Sequence, residues 1–373
     1  MTSNGSNKAA VETNDNAASK AHAETSDSET SKPFNNVAFN ANNGLSFNSL
    51  TEILVALKGN RYAPRDIYAY FHDNYKTVRG SEVDYHNLSV EFSRISDAFA
   101  LFTAQVGVKN YRLSADLLAD VIKYAQEIGE LSTCRSGLEQ LHEIDRRYWT
   151  WRTFVFVIDF WKDSLCTSKD VSEFQQNIGK AWELIGEFKK HIPHDERAYV
   201  SEAEIYERQN EYENALNALL KGTESCPVSP TCCMKLADMY MERGKYENAE
   251  KYARKGILAA LQEQPSVSVG YLYFLLAMSM DAQRIRARQT DTSYSPARIQ
   301  AIVTAYQTAD ELLINEGRIT VSYRQTIKAR LIIIEKEEKV SVKIPEDSDG
   351  ETPGMELLRS LLLKKGDSKQ ADD

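Results

Sequence analysis

The sequence is poor in the two residues that interrupt helices. Its 373 residues include only 9 prolines and 17 glycines, and no proline lies between Pro64 and Pro193. Because proline breaks a helix interior and glycine weakens it, this scarcity excludes a chain of many short strands and tight turns. No segment of useful length alternates polar and apolar residues with the period of a strand. The sequence therefore predicts an all-α protein.

Long apolar runs and paired cysteines are also missing. The longest apolar run, Phe154 to Trp161, contains Asp159 and is far shorter than the roughly 20 residues that cross a bilayer. The N-terminus lacks the apolar stretch of a signal peptide, and the five cysteines form no paired pattern. We therefore expect no membrane partner, reduced thiols and a cytoplasmic location.

The net charge of −9 belongs mainly to the two ends of the chain. Residues 1–50 carry 3 basic and 5 acidic residues, and residues 335–373 carry 7 and 11. The 35 basic and 38 acidic residues between them nearly balance. A balanced body has no basic patch for nucleic acid, so nucleic acid is not the expected partner.

Motifs for catalysis, cofactors or metals are absent. The sequence contains no P-loop, no G-x-S-x-G and no G-x-G-x-x-G. His191 and His194 flank Pro193, which stops a helix from presenting both rings on one face, and Cys226, Cys232 and Cys233 lack C-x-x-C spacing. We expect no enzyme, no cofactor and no metal site.

A repeat of 34 residues is the strongest pattern that is present. The block Tyr-Glu-Asn-Ala occurs at 212–215 and again at 246–249. Ala203 and Tyr206 match Ala237 and Tyr240 at the same spacing. Other positions in this register are Ala181 with Ala215, and Pro193 with Pro227. Small, aromatic and proline residues in this order are typical of paired helices that stack into an array.

These residues resemble the tetratricopeptide repeat (TPR) family, although the characteristic Trp and Leu-Gly of its first helix are mostly absent here. The resemblance is close over 195–227 and 231–261 and weaker over 148–193. An irregular further copy is expected over 269–315, with about 26 inserted residues placed mostly near Arg288–Ser295. The resemblance implies an α-α superhelix, a solenoid of helical hairpins, with disordered N- and C-terminal tails.

Four regions follow from this reading. They are a disordered polar tail at 1–48, an N-terminal helical region at 49–145, the TPR-like region at 146–339, and an acidic linker with a short amphipathic helix at 340–373. In the helical region we expect pairs that extend the same solenoid. Two long helices are predicted, Val83–Val106 and Thr133–Phe160. The dense aromatic block at 148–161 is expected to be core, with Arg152 or Arg147 pairing Asp159.

The resemblance implies a non-enzymatic adaptor or scaffold that binds a peptide or a partner helix on its concave face. Carried over by position, the residues of that face are Arg197, Val200, Glu204, Glu207, Arg208, Thr231, Met234, Asp238, Met241 and Glu242. Their acids and methionines suit a basic or amphipathic peptide. The alternative reading of these residues is an ordinary solvated helix face. The partner's identity and a homo-oligomer stay open.

Two further features are candidates for interaction. Arg284, Arg286, Arg288 and Arg298 form a basic cluster that would either touch RNA or an acidic partner, or be paired with nearby acids. The alternative function, a regulatory sensor or RNA-associated protein binding a signalling peptide, small ligand or nucleic acid, uses such a cluster.

The second feature is the leucine-rich segment near the C-terminus. Leu358, Leu361 and Leu362 share the i, i+3, i+4 spacing of a docking helix. This helix would dock on the protein's own groove, dock on a partner, or cap the last apolar face of the solenoid.

Overall fold

The computed structural model describes residues 45–59, 62–164, 170–262, 267–290, 292–316, 321–342 and 344. Within these ranges the chain forms fifteen α-helices, one short 3₁₀ turn at Arg146–Tyr148 and no strand. The helices are α1 (Leu50–Lys58), α2 (Pro64–Asn74), α3 (Glu82–Ser93), α4 (Asp97–Asn110), α5 (Ala115–Glu127), α6 (Leu131–His142), α7 (Trp151–Ser164), α8 (Val171–His191), α9 (Arg197–Arg208), α10 (Tyr212–Ser225), α11 (Pro230–Glu242), α12 (Tyr246–Ala260), α13 (Val269–Gln289), α14 (Pro296–Asn315) and α15 (Val321–Glu338). The prediction of an all-α fold is confirmed. None of these helices is both long enough and apolar enough to cross a membrane.

Local sequence explains where several helices begin. Ser114 Oγ accepts a hydrogen bond from the backbone N–H of Leu117 at 3.1 Å and so caps α5. Pro296 occupies the first turn of α14, where its missing N–H leaves no helical bond unmade, and Ser295 caps the same helix. These starts are short-range features, and short-range features can be read from sequence.

The helices pair in order and form two layers. Successive hairpins are α3/α4, α5/α6, α7/α8, α9/α10, α11/α12 and α13/α14. The first helices also contact one another in the order α3, α5, α7, α9, α11 and α13. We call this row the first-helix layer. A row of hairpins in contact only with their neighbours is a solenoid, as the sequence predicted.

The core is divided in the same way. Four overlapping clusters of buried apolar side chains follow each other along the chain, over α1–α5, α4–α9, α9–α12 and α11–α15. The repeat alanines Ala203, Ala215, Ala237 and Ala249 are all fully buried. Each cluster joins neighbouring hairpins, so no hairpin has a complete core of its own.

The turn between the two helices of a repeat depends on one residue with a left-handed backbone. Asn210 has φ 60° and Gly244 has φ 66°, and these positions are 34 residues apart. At both, the next N–H turns back to the helix: Glu211 donates to Tyr206 O at 2.8 Å and Lys245 to Tyr240 O at 2.9 Å. Asparagine and glycine are the residues that tolerate this conformation best, which explains their place in the repeat.

Two predicted long helices are wrong. The segment predicted as Val83–Val106 breaks between Ser93 and Asp97, so that α4 returns along α3 and Phe99 stacks on Tyr68 with ring centroids 3.6 Å apart. The segment predicted as Thr133–Phe160 is divided into α6, the 3₁₀ turn and α7. In both places a tertiary contact ends the helix without a proline or glycine to mark it.

The extra residues of the irregular copy lie elsewhere than predicted. α13 and α14 have 21 and 20 residues, against 13 and 15 for α11 and α12. The loop between α13 and α14 spans only Thr290–Ser295. The insertion therefore lengthens both helices and does not form a long loop around Arg288–Ser295.

The two ends of the described chain are packed closer to the helices than predicted. Phe47, assigned to the polar tail, exchanges backbone hydrogen bonds with Tyr70 Oη at 3.0 Å and lies edge-on to that ring. Val340, Val342 and Ile344, assigned to the linker, pack on the last core cluster. The predicted tails at residues 1–44 and 345–373 lie outside the described residues.

Candidate functional site

The ten residues that the resemblance placed on the concave face lie on α9 and α11. Seven of them are half-buried: Arg197, Val200, Glu204, Thr231, Met234, Asp238 and Met241. The remaining three, Glu207, Arg208 and Glu242, are exposed. All ten therefore reach the surface, on two adjacent helices of the first-helix layer.

A row of alternating charges crosses this layer. Lys162 Nζ on α7 lies 2.5 Å from Asp159 Oδ1 on the same helix and 2.5 Å from Glu204 Oε2 on α9. The other carboxylate oxygen of Glu204 lies 2.8 Å from Lys235 Nζ on α11. Lys162 is buried and the other three side chains are half-buried. These contacts tie three successive hairpins together through one chain of ion pairs.

The charge of Glu204 is therefore balanced inside the protein. Burial acts to raise the pKa of Glu204, but Lys235 and Lys162 together hold it below its usual value. A carboxylate placed between two ammonium groups has little attraction left for a basic ligand. Glu204 joins neighbouring hairpins rather than offering a free charge.

Glu207 and Glu242 are in the opposite situation. Neither forms an ion pair within the described part of the chain. Both lie in the last turn of a helix, where the partial negative charge of the helix end disfavours an acid. Burial raises the pKa of Glu207, and the charges of Glu204 and Glu242 raise it further against the effect of Lys235. This end of α9 and α11 thus carries unbalanced negative charge.

Asp238 adds to that charge. Its Oδ1 accepts a hydrogen bond from Tyr271 Oη on α13 at 2.8 Å. Burial raises the pKa of Asp238, and the nearby charges of Glu242 and Glu207 add to the increase. The side chain makes no ion pair among the described residues, so its charge is not cancelled.

A cavity of about 510 Å³ opens at the same ends of α9 and α11. Its lining residues are Glu207, Asn210, Tyr212, Met239, Glu242 and Arg243. The floor is rigid, because Tyr212 Oη donates to Met239 O at 2.9 Å and the Arg243 guanidinium lies 3.4 Å from the Tyr212 ring centroid. The cavity therefore combines two acidic walls with a fixed aromatic floor.

The apolar members of the predicted face lie along the two helices. Val200 and Met241 pack against the α9–α12 core, and Met234 packs against the α11–α15 core. Each stays half-buried. Together they form a narrow apolar band beside the acidic residues.

Three predicted residues hold the hairpins in place. Arg197 lies with its guanidinium 3.7 Å from the Trp151 ring centroid and pairs with Asp195 at 2.8 Å. Arg208 pairs with Asp163 at 2.5 Å and donates to a backbone carbonyl of α7. The backbone N–H of Thr231 donates to Glu196 Oε1 at 3.0 Å, so this residue begins α11 under a cap from the previous repeat.

The predicted partner of Asp159 is wrong. Asp159 pairs with Lys162, while Arg152 lies 4.0 Å from Asp116 and Arg147 pairs with Asp145 at 2.7 Å. Arg152 is directed towards α5 and Arg147 precedes the helix, so neither reaches Asp159. The rest of the aromatic block behaves as predicted, because Trp149, Phe154 and Ile158 are buried.

The arginine cluster is engaged with acids. Arg284 is fully buried and bonded to Asp281 at 2.8 Å, Glu337 at 2.8 Å and Glu338 at 2.7 Å, so its predicted contact with RNA or an acidic partner is wrong. Arg288 pairs with Glu338 at 3.0 Å. The two other members have similar partners, Arg286 with Glu247 at 4.0 Å and Arg298 with Glu250 at 2.7 Å. The cluster serves to attach α15 and to join α12, α13 and α14.

The thiols and histidines that were considered for chemistry are in structural settings. Cys134, Cys226, Cys232 and Cys233 are unpaired and buried, and burial raises the pKa of Cys134, Cys226 and Cys233 to about 11. Thiols with such a pKa are poor nucleophiles. His194 Nδ1 lies 3.1 Å from the backbone oxygen of Ser225. In the described ranges no group of three or more metal-ligating side chains comes together.

Some functional positions were missed by the sequence reasoning. Lys162 and Lys235 neutralise Glu204, yet no periodic signal links them to it. Gly222 and Gly256 lie 34 residues apart and could have been found by the same repeat alignment. A Cβ at Gly222 would lie 2.6 Å from Cys232 Sγ, so glycine allows α10 and α11 to approach closely. The tail leucines Leu358, Leu361 and Leu362 lie outside the described residues.

Comparison with protein families agrees with the repeat. Residues 196–228 and 230–262 match the tetratricopeptide repeat profile. These two segments, which form α9/α10 and α11/α12, are tetratricopeptide repeats. No curated protein matches the chain by sequence.

Solved structures of similar fold are distant. A thermophilic TPR protein of Thermus thermophilus is 13% identical, with a TM-score of 0.41, over 55% of this chain and 100% of that chain. The human IFIT1 dimer with PPP-AAAA is 13% identical, with a TM-score of 0.42, over 78% of this chain and 71% of that chain. The TPR2AB domain of yeast Sti1 in its pHSP90 complex is also 13% identical, with a TM-score of 0.27, over 61% of this chain and 96% of that chain. Likenesses this remote transfer no ligand to this chain.

Proposed function

We propose that this chain is a non-enzymatic adaptor that holds a basic or amphipathic peptide of another protein on its first-helix layer. The observation that carries the proposal is the unpaired charge of Glu207 and Glu242 beside the cavity of about 510 Å³. Acids at two helix ends are unfavourable for the free protein. A lysine or arginine side chain from a partner would remove that repulsion and form charge-assisted hydrogen bonds.

The apolar band supports an amphipathic rather than a purely charged ligand. Met234 and Met241 lie on α11 two helical turns apart and stay half-buried. Methionine side chains are flexible and polarisable, so they adapt to different apolar partners. The proposed ligand therefore places a cation at the acidic end and apolar side chains along the band.

The same charge pattern disfavours nucleic acid on this surface. Phosphate groups would meet Glu207, Asp238 and Glu242, while the arginines of α13 are engaged with acids. Binding to nucleic acid depends on cations that replace its counterions. The proposed site offers none of these at its acidic end.

The buried thiols support action in a reducing compartment, and we propose the cytoplasm. Cys226 and Cys232 are buried and unpaired although both lie at the same junction of α10 and α11. In an oxidising compartment, neighbouring thiols in a repeat array are a liability for folding.

Charge reversal tests the proposal. The full chain carrying Glu207→Lys and Glu242→Lys is compared with wild type as bait in a cell lysate, and recovered proteins are quantified by mass spectrometry. Glu204 is left unchanged, because its loss would break the ion pairs with Lys162 and Lys235. We expect specific partners to fall at least tenfold.

The control is a matched variant, Glu213→Lys with Glu224→Lys, which makes the same change of charge on α10, away from the first-helix layer. It should retain the partners. Equal recovery by wild type and the Glu207/Glu242 variant, with unchanged thermal unfolding, would refute the proposed surface.

A further inference from the structure

We infer that residues 355–363 of this same chain occupy the surface of α9 and α11 and compete with the partner for it. The inference rests on the proposed function, since it concerns the same surface. The contact would make the adaptor autoinhibited until a partner displaces its own C-terminal segment. Four observations support it: the direction of the chain at Ile344, its reach, its charge, and its apolar spacing.

The described chain ends while running back along α15. Lys339 has φ 55°, a left-handed conformation that reverses the chain directly after the helix. The N–H of Val342 then donates to Glu335 Oε1 at 3.2 Å, one turn before the end of α15. Val342 is buried, and Val340 and Ile344 pack on the same core. The following residues are therefore directed back over the helices and not away from them.

The connecting segment is long enough to reach the proposed surface. Residues 345–354 span at most about 33–36 Å when extended. α15 contacts α13 through Tyr323 and Tyr271, with ring centroids 5.7 Å apart, and α13, α11 and α9 are successive neighbours. Packed helices lie about 8–10 Å apart, so three steps amount to about 24–30 Å. The segment reaches α9 without stretching to its limit.

The charges of the segment complement those of the surface. Arg359 lies within it, and Lys364 and Lys365 follow immediately. The surface offers Glu207 and Glu242, which have no ion pair in the described part of the chain. Opposite charges brought together on one chain act at a high effective concentration. The tail is the nearest cationic segment that this protein itself can supply.

The apolar spacing also matches. Folded as the short helix that the sequence predicts, the segment aligns Met355, Leu358 and Leu362 along two turns, about 10 Å. Met234 and Met241 are separated by the same seven residues on α11. An amphipathic helix placed along α11 would therefore cover both methionines and leave its arginine and lysines towards the acidic end.

Zero-length carbodiimide crosslinking of the full chain tests the contact. This reagent joins lysine to carboxylate only where the two touch, so we expect links from Lys364 or Lys365 to Glu207 or Glu242. The ion pair of Lys189 with Glu202 provides an internal positive control. A 1:1 mixture of ¹⁴N- and ¹⁵N-labelled chains separates links within a chain from links between chains.

The full-length variant Leu358→Asp with Leu361→Asp should lose these links and keep the control link. Three results would overturn the inference. They are links of mixed isotope, which indicate a second copy; tail links to other surfaces; and no tail links combined with a lower unfolding temperature of the variant, which identifies a cap on α15.

A binding measurement tests the competition. A fluorescein-labelled synthetic peptide of residues 353–366 is titrated with wild type and with the Leu358/Leu361 variant. We expect at least tenfold tighter binding to the variant, because its surface is vacant, and loss of that binding when Glu207→Lys and Glu242→Lys are added. Equal affinity for wild type and variant, or no binding to the variant, refutes competition.

The two proposals can fail separately. If tail links are absent but charge reversal still removes the partners, the autoinhibitory contact is wrong and the adaptor surface stands. If tail links form but charge reversal leaves partner recovery unchanged, the adaptor surface is wrong and the tail does not compete with a partner there.

Discussion

Replacing Gly222 with alanine tests the close approach of neighbouring hairpins. Gly222 lies inside α10, facing the first helices of two repeats. A Cβ at this position would lie 2.6 Å from Cys232 Sγ on α11 and 2.9 Å from Tyr199 Cβ on α9. Both neighbours are fixed close to their own backbones, so they cannot move aside without shifting a helix.

Two effects of opposite sign decide the result. Alanine is favoured over glycine in a helix interior by about 1 kcal/mol. Overpacking a dense core by a methyl group costs about 1–3 kcal/mol. With contacts of 2.6 and 2.9 Å, the upper part of that range applies, and we expect Gly222→Ala to lower the free energy of unfolding by about 1–2 kcal/mol.

Gly186 provides a matched control. It lies in the interior of α8, is exposed, and has no atom within 4 Å of a would-be Cβ. Gly186→Ala gains the same helix preference without the clash, so it should raise the free energy of unfolding by about 0.5–1 kcal/mol. The difference between the two variants therefore isolates the packing effect.

Urea denaturation of both full-length variants measures this difference, and hydrogen exchange locates it. Because repeat arrays unfold in local units, the increased exchange of Gly222→Ala should be confined to α9–α11. If Gly222→Ala is as stable as Gly186→Ala, the tight approach of α10 to α11 is wrong, and close packing does not explain the glycine at that repeat position.

Three other predictions concern single side chains. Glu196→Ala removes the carboxylate that accepts the first two N–H groups of α11 at 3.0 and 2.8 Å; we expect a loss of about 2 kcal/mol in urea and faster exchange at the start of α11, and unchanged exchange there would contradict it. Arg284→Met removes a buried cation shared by three carboxylates, so it should cost about 3 kcal/mol and release α15 first by hydrogen exchange; a stability equal to wild type would show that these pairs are dispensable. The pKa values of Glu207 and Asp238 are raised, so these groups lose their charge at a higher pH than ordinary carboxyls, and binding of the labelled tail peptide to the tail variant should weaken as pH falls towards 5; affinity that is constant from pH 7 to 4.5 would exclude a role for their charge.

The repeat, the helix class and the turn positions could be predicted from the sequence. The 34-residue period is an interval between chemically similar residues, so one sequence is enough to detect it. Asn210 and Gly244 mark the turns because a left-handed backbone restricts the residue types that fit there. The tails and the breaks at Ser93–Asp97 and after His142 were less visible, since no helix-breaking residue accompanies them.

The composition of the candidate site was predicted, but its electrostatics was not. All ten residues of the predicted face lie on the surface of α9 and α11, as the repeat register required. Which of their charges is free depends on neighbours far along the chain: Lys162 reaches Glu204 across 42 residues. No period connects such pairs, because the distance between two charged ends depends on how adjacent hairpins pack.

By itself, the sequence determined that this protein is a stack of helical hairpins with a regular register and acidic residues on one row of helices. Only the tertiary structure decided that Glu204 is neutralised, that Glu207 and Glu242 are unpaired, and that Arg284 is buried. The physical reason is one of range. Helix preference and repeat register act over a few residues or a fixed period, whereas the balance of charge is a property of three-dimensional neighbours.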